Sequence, residues 1–141
     1  MNTAGKHIIG VTITVNASIE KVWKLWTTAE DIRLWNNLSD EWHVPKAEND
    51  LRKGGQFLYV MGLKDESFSF DFTGTYDEII PHGLIAYTLN DKRVAAITFT
   101  GSNPVQITED FEPNSTDDIE MQRSFCTAVL QSFKKYVESE M

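Results

Sequence analysis

The sequence predicts an α+β fold, a curved antiparallel sheet of about six to seven strands around one long C-terminal helix, with two short helices after the first strand. Three observations carry this expectation. All four tryptophans, Trp23, Trp26, Trp35 and Trp42, fall in one twenty-residue window that follows an apparent first strand. The middle of the chain alternates apolar and polar residues between short turns, the period of half-buried antiparallel strands. The C-terminal segment returns to helical period with an apolar arc of about 200°, twice the minimum stripe of a surface helix, so a curved sheet has to embrace it.

At the start, Val11, Ile13 and Val15 continue the parity of Ile9, while Gly10, Thr12 and Thr14 do not. Ser18 is a plausible helix cap. Ile19, Val22, Trp23 and Trp26 then recur at helical spacing, which puts two indoles on one buried stripe. Thr28 with Asp31 reads as a capping pair for a second short helix, which carries Ile32 and Trp35 and breaks at Asn36-Asn37. A modest strand is expected over 44–51, ended by Arg52-Lys53-Gly54-Gly55. Phe57, Tyr59, Met61 and Leu63 share one parity. After the Lys64-Asp65-Glu66 turn, Phe68, Phe70, Phe72, Gly74 and Tyr76 share another, which reads as a hairpin. Further strands are expected over 84–89, 93–100 and 105–112, joined by short turns as a meander. For the last helix, Ser115 or Thr116 is the expected cap. Asp117, Asp118 and Glu120 suit its positive end and Lys134 and Lys135 its negative end. Its apolar arc includes Met121, Phe125, Cys126, Val129, Leu130 and Phe133.

One domain over residues 1–141 is expected, large enough to bury roughly 68% of its unfolded surface. The 41% hydrophobic and 24% charged fractions speak against a disordered or fibrous chain. Thirteen basic against twenty-one acidic residues leave a charge of −8, which repels phosphate backbones and argues against nucleic acid as a partner. The segment before residue 8 has no apolar run, and no membrane-spanning stretch of about 18 apolar residues occurs, so a cytoplasmic protein is expected. Cys126, the single cysteine, can form no internal disulfide, in keeping with a reducing compartment. The Asn-x-Ser/Thr matches at Asn16, Asn37 and Asn114 are then accidental.

Several local strings add to this pattern: Trp42-His43-x-Pro45-Lys46-Ala47-Glu48-Asn49-Asp50-Leu51-Arg52-x-Gly54-Gly55, Phe70-Asp71-Phe72-x-Gly74-x-Tyr76, Glu109-x-Phe111 and Met121-Gln122. With the order of elements, they resemble the START-like, or SRPBCC, superfamily of helix-grip (birch-pollen-allergen-like) proteins across nearly the whole chain. They resemble most its bacterial branch related to the C-terminal domain of the activator of the heat-shock protein 90 ATPase. The resemblance implies a sheet wrapped on the final helix, with an elongated cavity between them closed at one end by the two short helices. Members bind lipids, hormones or polyketides, and a few are enzymes. The chaperone activator carries a further N-terminal domain that makes much of its chaperone contact, for which this chain has no room.

The candidate chamber is assembled from inward positions. Trp26, Trp35 and Trp42 would gate it, since indoles are stiff, large and carry one N–H donor. Phe57, Tyr59, Phe70 and Phe72 would meet Phe125 and Val129 of the long helix, where they could equally close into a packed core. Glu109 shares parity with Ile107 and Phe111, and Glu78 with Phe72 and Tyr76. An inward charge costs several kcal/mol unless paired. Two readings stand: each acid pairs with Arg93, Arg123 or a backbone donor, or Glu109 joins Gln122 and Tyr59 as a polar spot that orients a ligand. His43, expected in the connection after the second helix, is either a surface histidine or a proton carrier assisted by Glu41 or Glu48. There is no Gly-x-Ser-x-Gly elbow and no phosphate loop. His7, His43 and His82 are scattered, so no metal site, cofactor or catalytic residue is assigned. Cys126 is expected to act as a small hydrophobe.

The expected function is the binding of a small apolar or amphipathic molecule. At about 0.8 kcal/mol per CH₂, a chain of roughly six to eight carbons reaches micromolar affinity before ordering costs. One alternative is a co-chaperone-like interaction module. The presumed outer positions Ser69, Asp71, Thr73, Thr75 and Asp77 are polar and do not favour a large interface, though Leu58 and Val60 are apolar and would suit a homodimer. The other is a cyclase, dehydratase or hydrolase using His43, Glu109 or Tyr59 in the same chamber.

Overall fold

Side-chain alternation along seven segments builds one antiparallel sheet in the computed structural model, which describes residues 8–37, 39–115 and 117–139. The elements run β1 (Ile9–Val15), α1 (Ile19–Thr27), α2 (Ala29–Trp35), β2 (Trp42–Asn49), β3 (Gln56–Leu63), β4 (Ser69–Ile80), β5 (Leu84–Leu89), β6 (Val94–Thr100), β7 (Val105–Phe111) and α3 (Ile119–Ser139). Strands β2 to β7 form the expected meander. The chain then brings β1 beside β7, giving the order β1-β7-β6-β5-β4-β3-β2. The sheet curls as a half-barrel around α3.

Ser18 caps α1 as expected, accepting from the Lys21 amide at 3.2 Å. The expected Thr28–Asp31 pair does not form. The Thr28 hydroxyl donates to the Lys24 carbonyl at the end of α1, and Asp31 accepts from the Tyr136 hydroxyl of α3. The cap of α3 also differs. Asn114 closes a turn by accepting from the Asp117 amide at 2.8 Å, which delays the helix, and Asp118 receives the Met121 amide at the cap position. Thr116, the other cap candidate, lies outside the described residues, as does His7. The helix runs on to Ser139, so Lys134 and Lys135 do not lie in its last turn. Lys134 instead joins Glu138 at 2.7 Å and the Thr14 carbonyl of β1 at 2.7 Å.

Two bulges reset which residues point inward. In β2 the register shifts between His43 and Lys46, at Pro45, where an edge strand tolerates a missing N–H. The strand starts at Trp42, so His43 is a strand residue paired with Gly62, not part of a loop. In β4 a second shift between Tyr76 and Glu78 flips the parity, and Glu78 is exposed, contrary to the inward position expected of it.

The buried face of α3 is narrower than its apolar arc. Cys126, Leu130, Phe133 and Val137 are buried, while Met121 and Phe125 stay 53% and 38% exposed. The helix packs along β1 and against α1 and α2, so its N-terminal half stands off the central strands. Gly74 shows how tightly those strands close. A Cβ there would sit 2.7 Å from the Thr88 carbonyl oxygen and 3.0 Å from the Phe57 ring. Gly74→Ala is expected to cost about 2 kcal/mol, read as a lowered urea midpoint at unchanged slope. An unchanged midpoint would mean that the two strands part freely at this site.

Candidate functional site

The space between the N-terminal half of α3 and the concave sheet is a cavity of about 650 Å³. Aromatic rings from β3, β4 and β5 line its wall. Phe57 is their hub, with ring centroids at 5.2 Å to Tyr59, 5.7 Å to Phe72, 5.2 Å to Tyr76 and 5.1 Å to Tyr87. Trp26 and Trp35 close one end, 4.8 Å apart and both packed on Phe133 of α3, which is fully buried. The Trp35 indole N–H donates to the Leu25 carbonyl at 2.9 Å, and the Ser132 hydroxyl donates to the Trp35 carbonyl at 2.7 Å. These two indoles are therefore fixed in a wall, and the expected gate is not at their position. Trp23 does not reach the cavity and packs on His82 and Phe99. Trp42 lines the cavity and packs edge-on against Phe68 and Phe70.

The mouth is marked by exposed apolar side chains. Phe68, Val94, Met121 and Phe125 are all cavity-lining and all more than a third exposed. Of the expected positions, Trp26, Trp35, Trp42, Phe57, Tyr59 and Phe70 line the cavity, as do Phe72, Glu109, Gln122, Phe125 and Val129. His43 does not. Its neighbour Trp42 faces the cavity, and adjacent strand residues point to opposite faces, so His43 is turned away. Sequence reading passed over Tyr87, although it shares parity with Ile85 and Leu89, which also line the space. The mouth residues Phe68, Val94 and Met121 carry no sequence signal that separates them from core.

The polar groups fall into two sets. On one wall, next to Tyr59, the Tyr76 hydroxyl donates to the Asn49 side-chain oxygen, and the Asn49 amide donates to the Thr27 carbonyl at 2.7 Å. Burial pushes the Tyr59 phenol well above its ordinary range, with Tyr76 and Tyr87 adding to it. Burial also lifts Tyr76 to about 12, partly offset by the neighbouring Tyr59 hydroxyl. Both phenols thus remain protonated donors. On the other wall Glu109 of β7 meets the Cys126 thiol of α3. Burial lifts Glu109 from 4.5 to about 7, the neighbouring Cys126 thiol opposes this, and the Asp110 charge adds to it. The residue is half-buried by area because what it exposes faces the cavity. Tyr87 is pushed up by burial first and then by Glu109, and Cys126 is raised the same way, so its thiol stays protonated.

Neither expected partner of Glu109 is in place. Among the described residues no ion pair reaches it: Arg93 pairs with Asp91 at 2.8 Å, and Arg123 with Glu120 and the Gly10 carbonyl. Gln122 lines the cavity, but its side chain accepts from the Asn114 amide at 2.9 Å and donates to the Asp117 carbonyl at 3.0 Å, bracing the turn before α3. Glu109 therefore has Cys126 and Tyr87 as its titratable neighbours across the cavity wall, while the Gln122 side chain is engaged at the turn. Among the described residues no group of three His, Cys, Asp or Glu side chains could hold a metal ion, and no helix is long and apolar enough to cross a membrane.

A curved sheet gripping a C-terminal helix, with a cavity between them, defines a START-like helix-grip protein. Residues 16–138 match the family profile described as activator of Hsp90 ATPase homolog 1-like protein, and the chain belongs to that family. A protein from Cytophaga hutchinsonii is similar at 47% identity, with a TM-score of 0.81 over 94% of this chain and 92% of that one. An AHSA1-like protein from Aeromonas hydrophila superposes with a TM-score of 0.85 at 29% identity, over 94% of both chains. A Nitrosomonas europaea protein shares the fold at 16% identity, with a TM-score of 0.80 over 94% of this chain and 95% of that one. No curated protein matches the chain significantly.

Proposed function

We propose that this protein binds a small apolar or amphipathic molecule in the cytoplasm and holds it between the sheet and α3. The observation that carries the reading is the 650 Å³ cavity, because a core of this chain's own side chains would leave no such space. Its size is that of an ordinary small-molecule site, and its wall is mostly aromatic. Trp26, Trp35, Trp42, Phe57, Phe70 and Phe72 supply apolar contact, with Phe125 and Val129 on the helix side. The protonated phenol of Tyr59 and the carboxyl of Glu109 supply orientation at opposite walls. Chemistry is not required: the phenols and the thiol are held in their neutral forms, and His43 faces away.

Val129 is half-buried and lines the cavity, so Val129→Trp fills the space from the helix side. Affinity for a naphthyl probe is expected to fall at least about 100-fold by calorimetry, since the new indole takes the place of the probe's ring. Native mass spectrometry of protein from its own host is expected to show a co-purifying molecule on the native chain and none on Val129→Trp. Equal probe binding by the two proteins would place the ligand elsewhere and end the proposal.

A further inference from the structure

The two ends of the cavity differ in chemistry. Near α1 and α2 it is aromatic, with Trp26 and Trp35. Toward the loop between β7 and α3 its lining carries three acids, Glu109, Glu112 and Asp117, and one cation, Arg93. Glu112 accepts from the Val94 amide at 2.8 Å, Asp117 from the Asn114 side chain at 2.9 Å, and Arg93 is held by Asp91. Glu109 differs from them because it lies deeper and its contact is a thiol. The groups facing it are Cys126 from α3 and Tyr87 from β5, with Asp110 on its own strand and Arg93 opposing from beside Tyr87. Its register neighbours on β6 and β1 are Ile97 and Val11, which offer no charge.

We propose that the cavity selects its occupant by charge: it takes an apolar molecule bearing one basic nitrogen, whose ammonium pairs with Glu109, and refuses a carboxylate of the same size. This rests on the binding function proposed above and names the ligand class. Among the described residues no basic side chain pairs with this carboxyl, which leaves an incomplete ion pair that a ligand cation completes with a charge-assisted hydrogen bond. A ligand carboxylate would instead set two like charges in a low-dielectric space.

Three probes share one skeleton: naphthylmethylamine, naphthylmethanol and naphthoate. In calorimetry at pH 8 the amine is expected to bind the native chain at least about tenfold tighter than the alcohol, and the naphthoate more weakly than either. Because Glu109 must be ionised to pair, and burial holds it near 7, amine affinity should rise with pH up to about 7 and then level, while alcohol affinity stays flat. Glu109→Gln is expected to lose the amine preference while keeping the native chain's circular dichroism spectrum and a cooperative melt, which show that it is folded. Naphthoate binding as tightly as the amine, or a preference surviving in Glu109→Gln, would overturn the charge selection and leave the cavity function standing. Binding of none of the three would overturn both.

Discussion

Glu109→Gln is expected to be more stable than the native chain at pH 8, by about 3 kcal/mol at most, and equal to it near pH 4.5. The folded carboxyl titrates near 7 against an ordinary 4.5, so between those values the folded state keeps a proton that the unfolded state has released. Stability then falls as pH rises through this window, by about 1.4 kcal/mol per pH unit, and the contribution is fully present only below about 4.5. A half-buried, paired carboxylate such as Glu138, lowered by its bonds to Lys134 and the Asn16 amide, gives the opposite slope at lower pH. The difference between native and variant chains isolates the buried group. Parallel denaturation curves for the two proteins from pH 4.5 to 8 would show that Glu109 titrates normally, which requires water or a cation beside it.

Phe133→Ala should have the largest effect of any single truncation. The ring is fully buried and holds both wall indoles, at 4.8 Å from Trp26 and 4.7 Å from Trp35. Removing it forfeits the transfer free energy and leaves a hole that two stiff indoles cannot fill, an expected loss of roughly 3 to 5 kcal/mol. For a chain of this size the melting temperature should drop by roughly 10 to 15 °C. Phe68→Ala is the matched control. That ring is 54% exposed at the mouth, and its loss should cost less than about 1 kcal/mol. Equal losses for the two would place the mouth, not the indole wall, at the centre of the fold's stability.

Much of the site was legible in the chain because a sheet's faces follow from period two. Phe57, Tyr59, Phe70 and Phe72 could be assigned to one face before any coordinates, and so could Tyr87. The reading failed wherever an extra residue entered a strand. The shift at Pro45 and the one after Tyr76 each reversed the parity, which turned His43 from the cavity and put Glu78 in water. Neither bulge carries a strong local signal, since both depend on how the partner strand is drawn in. Capping failed for a related reason: Thr28 donates back to Lys24, and Asn114 takes the Asp117 amide ahead of the expected Ser115 cap, choices that local pattern cannot rank.

What the sequence by itself determined was the order of elements, the sheet's two faces, the resemblance to a helix-grip family and the inward place of Glu109. These follow from periodicity and short strings of residues, which are local. Only the tertiary structure decided that the apolar arc of α3 divides into a buried stripe from Cys126 to Val137 and an exposed Met121 and Phe125 at a cavity mouth. It also decided that Gln122 braces a turn and that, among the described residues, Arg93 and Arg123 pair elsewhere than with Glu109. The reason is geometric: a helix packs along β1 at an angle set by its contacts with α1 and α2. Whether its apolar side chains meet the sheet or an empty space depends on that angle, which no stretch of sequence encodes alone.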